Sequence, residues 1–459
     1  MKKKSVITFS IIVCIATLFF FSRLYNLDKR IGFDWDQEKI SYDVKNILLD
    51  HKLTLLGPRA NNDKGFFLGP QFTYLLVPFY FATHLHPNAL LYFIFFYCLF
   101  FFIAAYLILR RVFNLKIALL FLLMWGINTI FFNADTSPFW PILIPLGVLL
   151  IWFFLNQIFN SPGEFKPWLS LGLCIGFILN IHFQSVFLLA YVCFFLYISR
   201  KKIKMSFING CSLLSGIILM FFPLLFFDLR HNFFNTSLFV HFFLDGNTGH
   251  GPIFTAWIPV FSHIATPFVF IKNELFAGLF FYALGILVIL LNRNKKTGFM
   301  KSFYSAFIVV WLLFPIMFAL YGKRPSEYYF TFLYPFIVVS IIDFFLSRKY
   351  YYFLSFYLVV YVVMNITTLY PKLYAFGLNF YEKDRAVKRI SKVLNNKKCD
   401  IAFNVPWGRE VGYKYLFDYY QIKQIGNWKS CVININIPAR PKDEKFDYLG
   451  VTFPKELVK

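Results

Sequence analysis

Apolar runs of roughly twenty residues, broken by short polar connections, recur from Ser5 to about residue 370, and the pattern stops in the stretch 371–459. A helix rises about 1.5 Å per residue and needs such a run to cross ~30 Å of hydrocarbon, so the spacing predicts a bundle of membrane-spanning helices. Lys and Arg set their number, because short basic connections stay on the cytoplasmic side. Lys2-Lys3-Lys4, Arg110-Arg111, Arg200-Lys201-Lys202, Lys295-Lys296 and Arg348-Lys349 all sit at the ends of apolar runs. With the first cluster inside, the first helix delivers 23–69 to the outside, so only one further crossing fits before Arg110, and 88–109 is long enough where 70–83 is not. The shorter stretch, bounded by Gly69-Pro70 and His86-Pro87, is expected to be juxtamembrane or re-entrant.

The same parity splits 168–199 into two helices with Asn180-Ile181-His182-Phe183-Gln184 as their outward tip. Each has ~15 residues, about 22 Å, and must be tilted or shielded by protein. Further crossings fall at 117–132, 139–157, 205–227, 275–292, 302–320, 328–347 and 350–370, with a second juxtamembrane stretch between Asp228 and Asn273. The run 5–21 has no small-residue cleavage site after it and is expected to stay as the first helix, giving eleven crossings in all. The N-terminus is then cytoplasmic, 23–69 is the first outer loop and 371–459 is exported. This tail alternates helix-like Asp384–Asn395, strand-like Ile401–Val405, helix-like Val411–Tyr420 and strand-like Cys431–Ile437. The predicted fold is an all-α polytopic membrane protein over residues 1–370, with about 11 transmembrane helices plus juxtamembrane helices, and a small extracytoplasmic α/β C-terminal appendage. Its expected location is the cell (plasma) membrane.

Composition agrees: 58% hydrophobic and 22% aromatic residues exceed what a soluble core could bury. A net charge of +23 would suit nucleic acid, but these cations end apolar runs and form no basic face interleaved with stacking aromatics, so no nucleic-acid partner is expected. Five of the seven cysteines lie in apolar runs as small core residues. Cys399 and Cys431 lie in the tail, where a disulfide and two free thiols are both compatible with the sequence.

Of the twenty-three acidic residues, seven lie between Arg23 and Gly69 and nine in the tail, and within the proposed crossings only Asp343 remains, placed as a solvated residue at the cytoplasmic edge. A proton pump or ion-coupled carrier keeps buried acids in its helices for function, so the distribution favours chemistry at the bilayer surface. The first outer loop opens with Gly32-Phe33-Asp34-Trp35-Asp36-Gln37-Glu38. Carboxylates there can act as a general base, or a pair can hold a divalent metal ion; a polar cap on the following helix is the plainer alternative. Outer cations come from Asp228-Leu229-Arg230-His231-Asn232 and Gly322-Lys323-Arg324-Pro325-Ser326-Glu327-Tyr328-Tyr329. Arg230, Lys323 and Arg324 can bind phosphate, against an Arg230–Asp228 ion pair and snorkelling of the other two to headgroups. His182 and Gln184 at the hairpin tip are candidate ligands or packing partners.

Four segments carry a family resemblance: Phe33-Asp34-Trp35-Asp36-Gln37-Glu38, Phe67-Leu68-Gly69-Pro70-Gln71-Phe72-Thr73-Tyr74, Asn180-Ile181-His182 and Phe227-Asp228-Leu229-Arg230-His231-Asn232. With the order of elements over residues 5 to 370, they make the chain resemble the integral membrane glycosyltransferases of the C superfamily, in the protein mannosyltransferase and lipid A aminoarabinose transferase branch. The resemblance implies a polyprenyl-phosphate sugar donor, a protein, lipid or cell-envelope glycan acceptor, and Asp36 as catalytic base, with Asp34 next in line. Glu38, His182, Gln184, Arg230, Lys323, Arg324, Tyr328 and Lys64 are the expected substrate-binding residues. Two positions depart from the family: the usual Asp-Glu pair is Asp36-Gln37, with Glu38 displaced by one, and Gly69-Pro70 stands for Lys-Pro, leaving Lys64 as the nearby cation. The rival readings are a carrier or flippase for lipid-linked sugars, which needs no base, and a scaffold presenting the tail.

Overall fold

The computed structural model describes residues 2–60, 65–244, 253–269, 275–321, 325–374, 378–423 and 431–457. Eighteen helices and four strands are found among them: α1 Lys2–Leu24, α2 Trp35–Asp50, α3 Gln71–Ala82, α4 Ala89–Val112, α5 Leu115–Ile127, α6 Thr129–Thr136, α7 Ile144–Asn160, α8 Phe165–Ile181 and α9 Val186–Ile198 come first. Then follow α10 Phe207–Arg230, α11 Phe234–Leu244, α12 Ile253–Val269, α13 Leu275–Asn294, α14 Gly298–Tyr321, α15 Tyr334–Ser347, α16 Tyr351–Tyr374, α17 Phe380–Leu394 and α18 Lys414–Tyr419. Strands β1 Asp400–Asn404, β2 Val432–Asn436, β3 Glu444–Phe446 and β4 Leu449–Thr452 belong to the tail.

Every proposed crossing but 117–132 coincides with one α-helix over most of its length. Seven helices (α1, α4, α7, α10, α13, α14 and α16) are long and apolar enough to cross a membrane, and α8, α9 and α15 are shorter apolar helices. The chain is a multi-pass membrane protein. The hairpin α8–α9 turns at His182, and α8 lies backbone to backbone on α10. A Cβ at Gly172 would collide with the Leu213 carbonyl, and one at Gly216 with the backbone of Leu169 and Leu173. Small residues permit such close approach between helices in lipid.

Three expectations need correction. The crossing at 117–132 is not one helix: α5 and α6 meet at 78°. Asn128 causes the break, because its Oδ1 accepts the N–H groups of Ile130 at 2.9 Å and Phe131 at 3.1 Å, starting a new helix as an N-cap does. Its amide also donates to the Pro267 carbonyl at 2.8 Å, so α12, expected beside the membrane, is instead built into the bundle with Val260 and Ile264 fully buried. Asp343, placed in solvent by its position, is buried, accepting from Lys296 Nζ at 2.8 Å and the Tyr304 hydroxyl at 2.7 Å. The ion pair spares it an unpaired buried charge.

A second buried ion pair was outside the sequence reading. Arg23, at the end of α1, meets Asp135 of α6 at 2.9 Å with both side chains buried, and its guanidinium also donates to the Trp125 carbonyl at 2.7 Å, at the α5–α6 break. Removing one partner of such a pair costs ~3–5 kcal/mol. Arg23→Met is therefore expected to lower thermal stability in detergent by that order, with the double change Arg23→Met/Asp135→Leu recovering most of it; equal melting of wild type and the single variant would contradict this account.

In the tail the sheet order is β1-β2-β4-β3, with β1 and β2 parallel and the other pairs antiparallel. The sequence reading lacked β3 and β4, whose short runs carry little period-two signal. Cys399 and Cys431, directly before β1 and β2, form a disulfide, which closes the alternative of two free thiols.

Candidate active site

The tail is docked on the first loop and on the turn between α3 and α4. Phe380 N–H donates to the Ile31 carbonyl at 2.9 Å, the Tyr415 hydroxyl to the Leu85 carbonyl at 2.8 Å, and Tyr42 to Asp418 at 2.5 Å. At the centre is Lys383, its side chain 1% exposed. Its ammonium donates to the Phe33 carbonyl at 2.8 Å, to Asp34 Oδ1 at 3.2 Å and to the Val411 carbonyl at 2.9 Å. Burial lowers the Lys383 pKa and Asp34 opposes that fall. Gly412 is required here because a Cβ would strike the Phe33 carbonyl, and its φ of +82° suits only glycine comfortably.

These contacts give the three loop carboxylates different roles. Asp34 precedes α2 as its N-cap, with Gln37 Oε1 accepting the Asp34 N–H at 3.1 Å, and is tied to Lys383. Glu38 accepts the Tyr415 N–H at 2.9 Å and so anchors the tail. Asp36 lies between them in sequence, and two residues turn a helix by ~200°, so it faces away from Glu38. No described residue gives Asp36 a hydrogen bond or ion pair. Its carboxyl group is open to a recess, yet the surrounding protein desolvates it and raises its pKa; Lys39 opposes the rise and Asp34 adds to it.

The recess, about 660 Å³, is lined by Lys29 and Arg30 beyond α1, Asp34 and Asp36, Glu327, and Lys372 near the end of α16, with the 136–139 segment as a wall. It thus opens where several spanning helices end. Arg30 is held by its Nε and Nη2, which donate to the carbonyls of Tyr25 at 3.0 Å and Arg23 at 2.8 Å, while its plane covers the Phe132 ring. Nη1 has no hydrogen-bond partner. Burial, with the charge of Arg23 second, lowers the Arg30 pKa to about 10, leaving it a cation at neutral pH. Sequence reasoning missed Arg30, Lys29, Glu327 and Lys372: each stands at or near the end of a helix or turn with no motif around it, and only the fold brings them to one recess.

The other candidates are placed as follows. Tyr328 packs edge-on against Phe139 of the recess wall at 5.2 Å and against His182 at 5.8 Å. His182 is buried behind it, and Gln184 donates to Thr331 at 3.2 Å. Arg230 is exposed at the end of α10 over the Phe226 ring and does not line the recess. Its suggested partner Asp228 instead accepts the Asn235 N–H at 2.7 Å and the Thr236 hydroxyl at 2.7 Å, capping α11. Lys64, Lys323 and Arg324 lie outside the described residues. Among the described residues no group of three or more His, Cys, Asp or Glu converges as a metal site.

Three of the four family-like segments turn out to hold one another. Gly69 N–H donates to the Asn180 carbonyl at 3.0 Å, and Phe67 N–H to Asn235 Oδ1 at 2.7 Å, the residue whose own N–H meets Asp228. They brace the hairpin tip; only the segment 33–38 reaches the recess.

No family model matches the chain, and no curated protein does. Among solved structures it is similar to the Archaeoglobus fulgidus oligosaccharyltransferase in complex with Zn and sulfate, at 14% identity and a TM-score of 0.53, over 91% of this chain and 62% of that one. The apo form of the same protein gives 15%, 0.51, and 89% and 59%. ArnT from Cupriavidus metallidurans bound to undecaprenyl phosphate gives 11% and 0.45, over 93% and 92%. The chain therefore spans about three fifths of the oligosaccharyltransferase whose fold it shares.

Proposed function

We propose that this chain, which carries the fold of the C-superfamily membrane glycosyltransferases, transfers a sugar from a polyprenyl-phosphate donor to a hydroxyl acceptor on the extracytoplasmic side of the membrane. The observation that carries the reading is Asp36: an unpartnered carboxylate with a raised pKa, in a recess that also holds Lys29, Arg30 and Lys372 at the level where the helices end. A base is most effective when its pKa lies nearer the working pH than that of an ordinary carboxylate. Asp36 takes the proton of the acceptor hydroxyl as its oxygen attacks the anomeric carbon. The bond from that carbon to the phosphate oxygen breaks, and polyprenyl phosphate leaves with the electron pair. Negative charge grows on the phosphate in that step, and Arg30, a cation fixed by its backbone contacts in the lining of the recess, stabilises it through its charge. The disulfide supports an oxidising, extracytoplasmic tail, and with the tail the recess beneath it.

The test is release of polyprenyl phosphate from a panel of radiolabelled polyprenyl-phosphate sugars by purified protein in detergent, where no two compartments exist. Donor-dependent release supports an enzyme; none with any donor and a broad acceptor extract leaves the flippase. EDTA and added Mg²⁺ or Mn²⁺ in the same assay decide metal dependence, Asp36 and Glu327 being the recess carboxylates left to hold an ion. Arg30→Ala is expected to lower kcat ~10²-fold, as loss of one charge-stabilising donor does, with Arg30→Lys retaining more; unchanged kcat in the alanine variant would remove Arg30 from the reaction.

The pH dependence follows from the sign of the shift. Asp36 acts only when ionised and its pKa is raised, so kcat/KM falls on the acid side at a pH above 3.8, the ordinary value for an aspartate. An acid limb at or below pH ~4 would show a base other than Asp36.

A further inference from the structure

The neutral polar side chains that line the recess are, with one exception, committed to the protein itself. Gln37 Oε1 accepts the Asp34 N–H, and its Nε2 donates to the Pro138 carbonyl at 3.5 Å. The Thr136 hydroxyl donates to the Phe132 carbonyl at 2.9 Å and the Ser137 hydroxyl to the Asn133 carbonyl at 2.8 Å. Asn379 caps α17, its Oδ1 accepting the Glu382 N–H at 2.9 Å. The exception is Asn133, half-buried in the same lining, whose side-chain amide meets no hydrogen-bond partner among the described residues. Its direction is set from the other face of α6. Asp135 is held in the core by Arg23 at 2.9 Å and by Trp125 Nε1 at 3.0 Å, and two residues turn a helix by ~200°, which turns Asn133 outward to the recess.

We infer that Asn133 recognises the donor sugar, by hydrogen bonds to two neighbouring hydroxyls of its ring; the inference rests on the transfer reaction proposed above. In that reaction the anomeric carbon lies between the leaving phosphate oxygen and the attacking hydroxyl. The sugar ring therefore sits between the cation that meets the phosphate and the base that meets the acceptor. Two contacts place the 132–139 wall along that gap: Arg30 covers the Phe132 ring at 4.7 Å, and Gln37, next to Asp36, reaches Pro138. Asn133 stands on this wall beside Phe132. A primary amide sets an acceptor oxygen and an NH2 donor side by side, and a pair of vicinal hydroxyls offers the complement of both. Other groups in the lining cannot do the same: ammonium and guanidinium groups only donate, ionised carboxylates only accept, and Thr136 and Ser137 have already placed their protons. Asn133 thus selects the sugar by the arrangement of its hydroxyls. A ring that lacks one of the pair, or holds the two on opposite faces, loses one of the bonds.

The test is equilibrium binding to the purified full chain in detergent, without acceptor. The probes are polyprenyl-phosphate-linked glucose, mannose, galactose and N-acetylglucosamine, each compared with polyprenyl methyl phosphate, which has the same single charge and no sugar. Wild type is expected to bind at least one sugar-bearing probe ~tenfold more tightly than the methyl ester, the effect of one or two neutral hydrogen bonds. Asn133→Ala is expected to lose that gain while binding the methyl ester as wild type does, and Asn133→Gln, with the amide on a longer arm, to keep part of it. No gain from any sugar in wild type, or the same gain in Asn133→Ala, overturns the inference. So does an equal loss for the methyl ester, which would make Asn133 a structural residue. The two readings fail separately. A sugar-dependent gain lost in Asn133→Ala, with no polyprenyl phosphate released from any donor, keeps the recognition and loses the reaction. Release with the same preference among donors in wild type and Asn133→Ala keeps the reaction and loses the recognition.

Discussion

Asp36→Asn is expected to reduce sugar transfer by ~10²–10⁴-fold, the usual contribution of a positioned base, while the protein inserts, folds and binds donor as before. Removing a charge without altering shape isolates the proton-transfer role, since the amide keeps the size of the carboxylate and cannot take the proton. The structure also sets the sign of the stability change. Asp36 makes no hydrogen bond that the substitution would break, and desolvation by the protein around the recess raises its pKa although the side chain is open to the recess, so its ionised form is less favourable in the folded chain than in the unfolded one. Above that raised pKa the carboxylate therefore costs stability, and below the ordinary value of 3.8 the cost vanishes because both states are protonated. At neutral pH the asparagine variant should melt at or slightly above the wild-type temperature. Asp34→Asn and Glu38→Gln supply the contrast: each loosens a contact with the tail, so each should lower stability and reduce activity less than Asp36→Asn. Full turnover by Asp36→Asn, or a drop in its melting temperature larger than in the other two, would return Asp36 to the role of a helix-end cap.

Much of the membrane architecture was legible because its signals are local. An apolar run announces a helix by itself, and a basic pair fixes which way it points, so even the short α8–α9 hairpin and its tip at His182 could be placed before any contact was known. Asn128 shows where that logic stops: one polar residue in an apolar run looks tolerable, and only its bonds to Ile130, Phe131 and Pro267 reveal a break. The acidic loop marked the stretch that lines the recess, but it could not rank its three carboxylates. Their ranking depends on Lys383 and Tyr415, 349 and 377 residues away from Asp34 and Glu38, and pairing over such a separation leaves no periodicity to read. Arg30 was illegible for a related reason. It lines the same recess as Asp36 only once the chain is folded, and a sequence shows charge without showing what that charge already touches.

Lys383 carries the second large effect. Replacing it by methionine removes the donor shared by the Phe33, Asp34 and Val411 oxygens, and the turn that aims Asp36 loses its tie to the tail. Misplacing a reacting group by about 1 Å can cost ~10² in rate, and a fall of that order in kcat/KM is expected for Lys383→Met although the residue lines no part of the recess. A loss of activity alone would fit simple unfolding, so the pH profile is the decisive reading. Asp34 already pushes the Asp36 pKa upward; without Lys383 its charge is uncompensated, and the acid limb should move to still higher pH. In Lys383→Met/Asp34→Asn that charge is gone, so the limb should return toward the wild-type position, and part of the rate with it, because a buried pair replaced whole costs less than one broken. If the single and double variants lose activity equally and neither moves the limb, Lys383 merely holds the tail in place. If the limb moves as described, the tail is part of the machinery that sets the base, and a chain cut before α17 would keep every loop carboxylate and still be a poor catalyst.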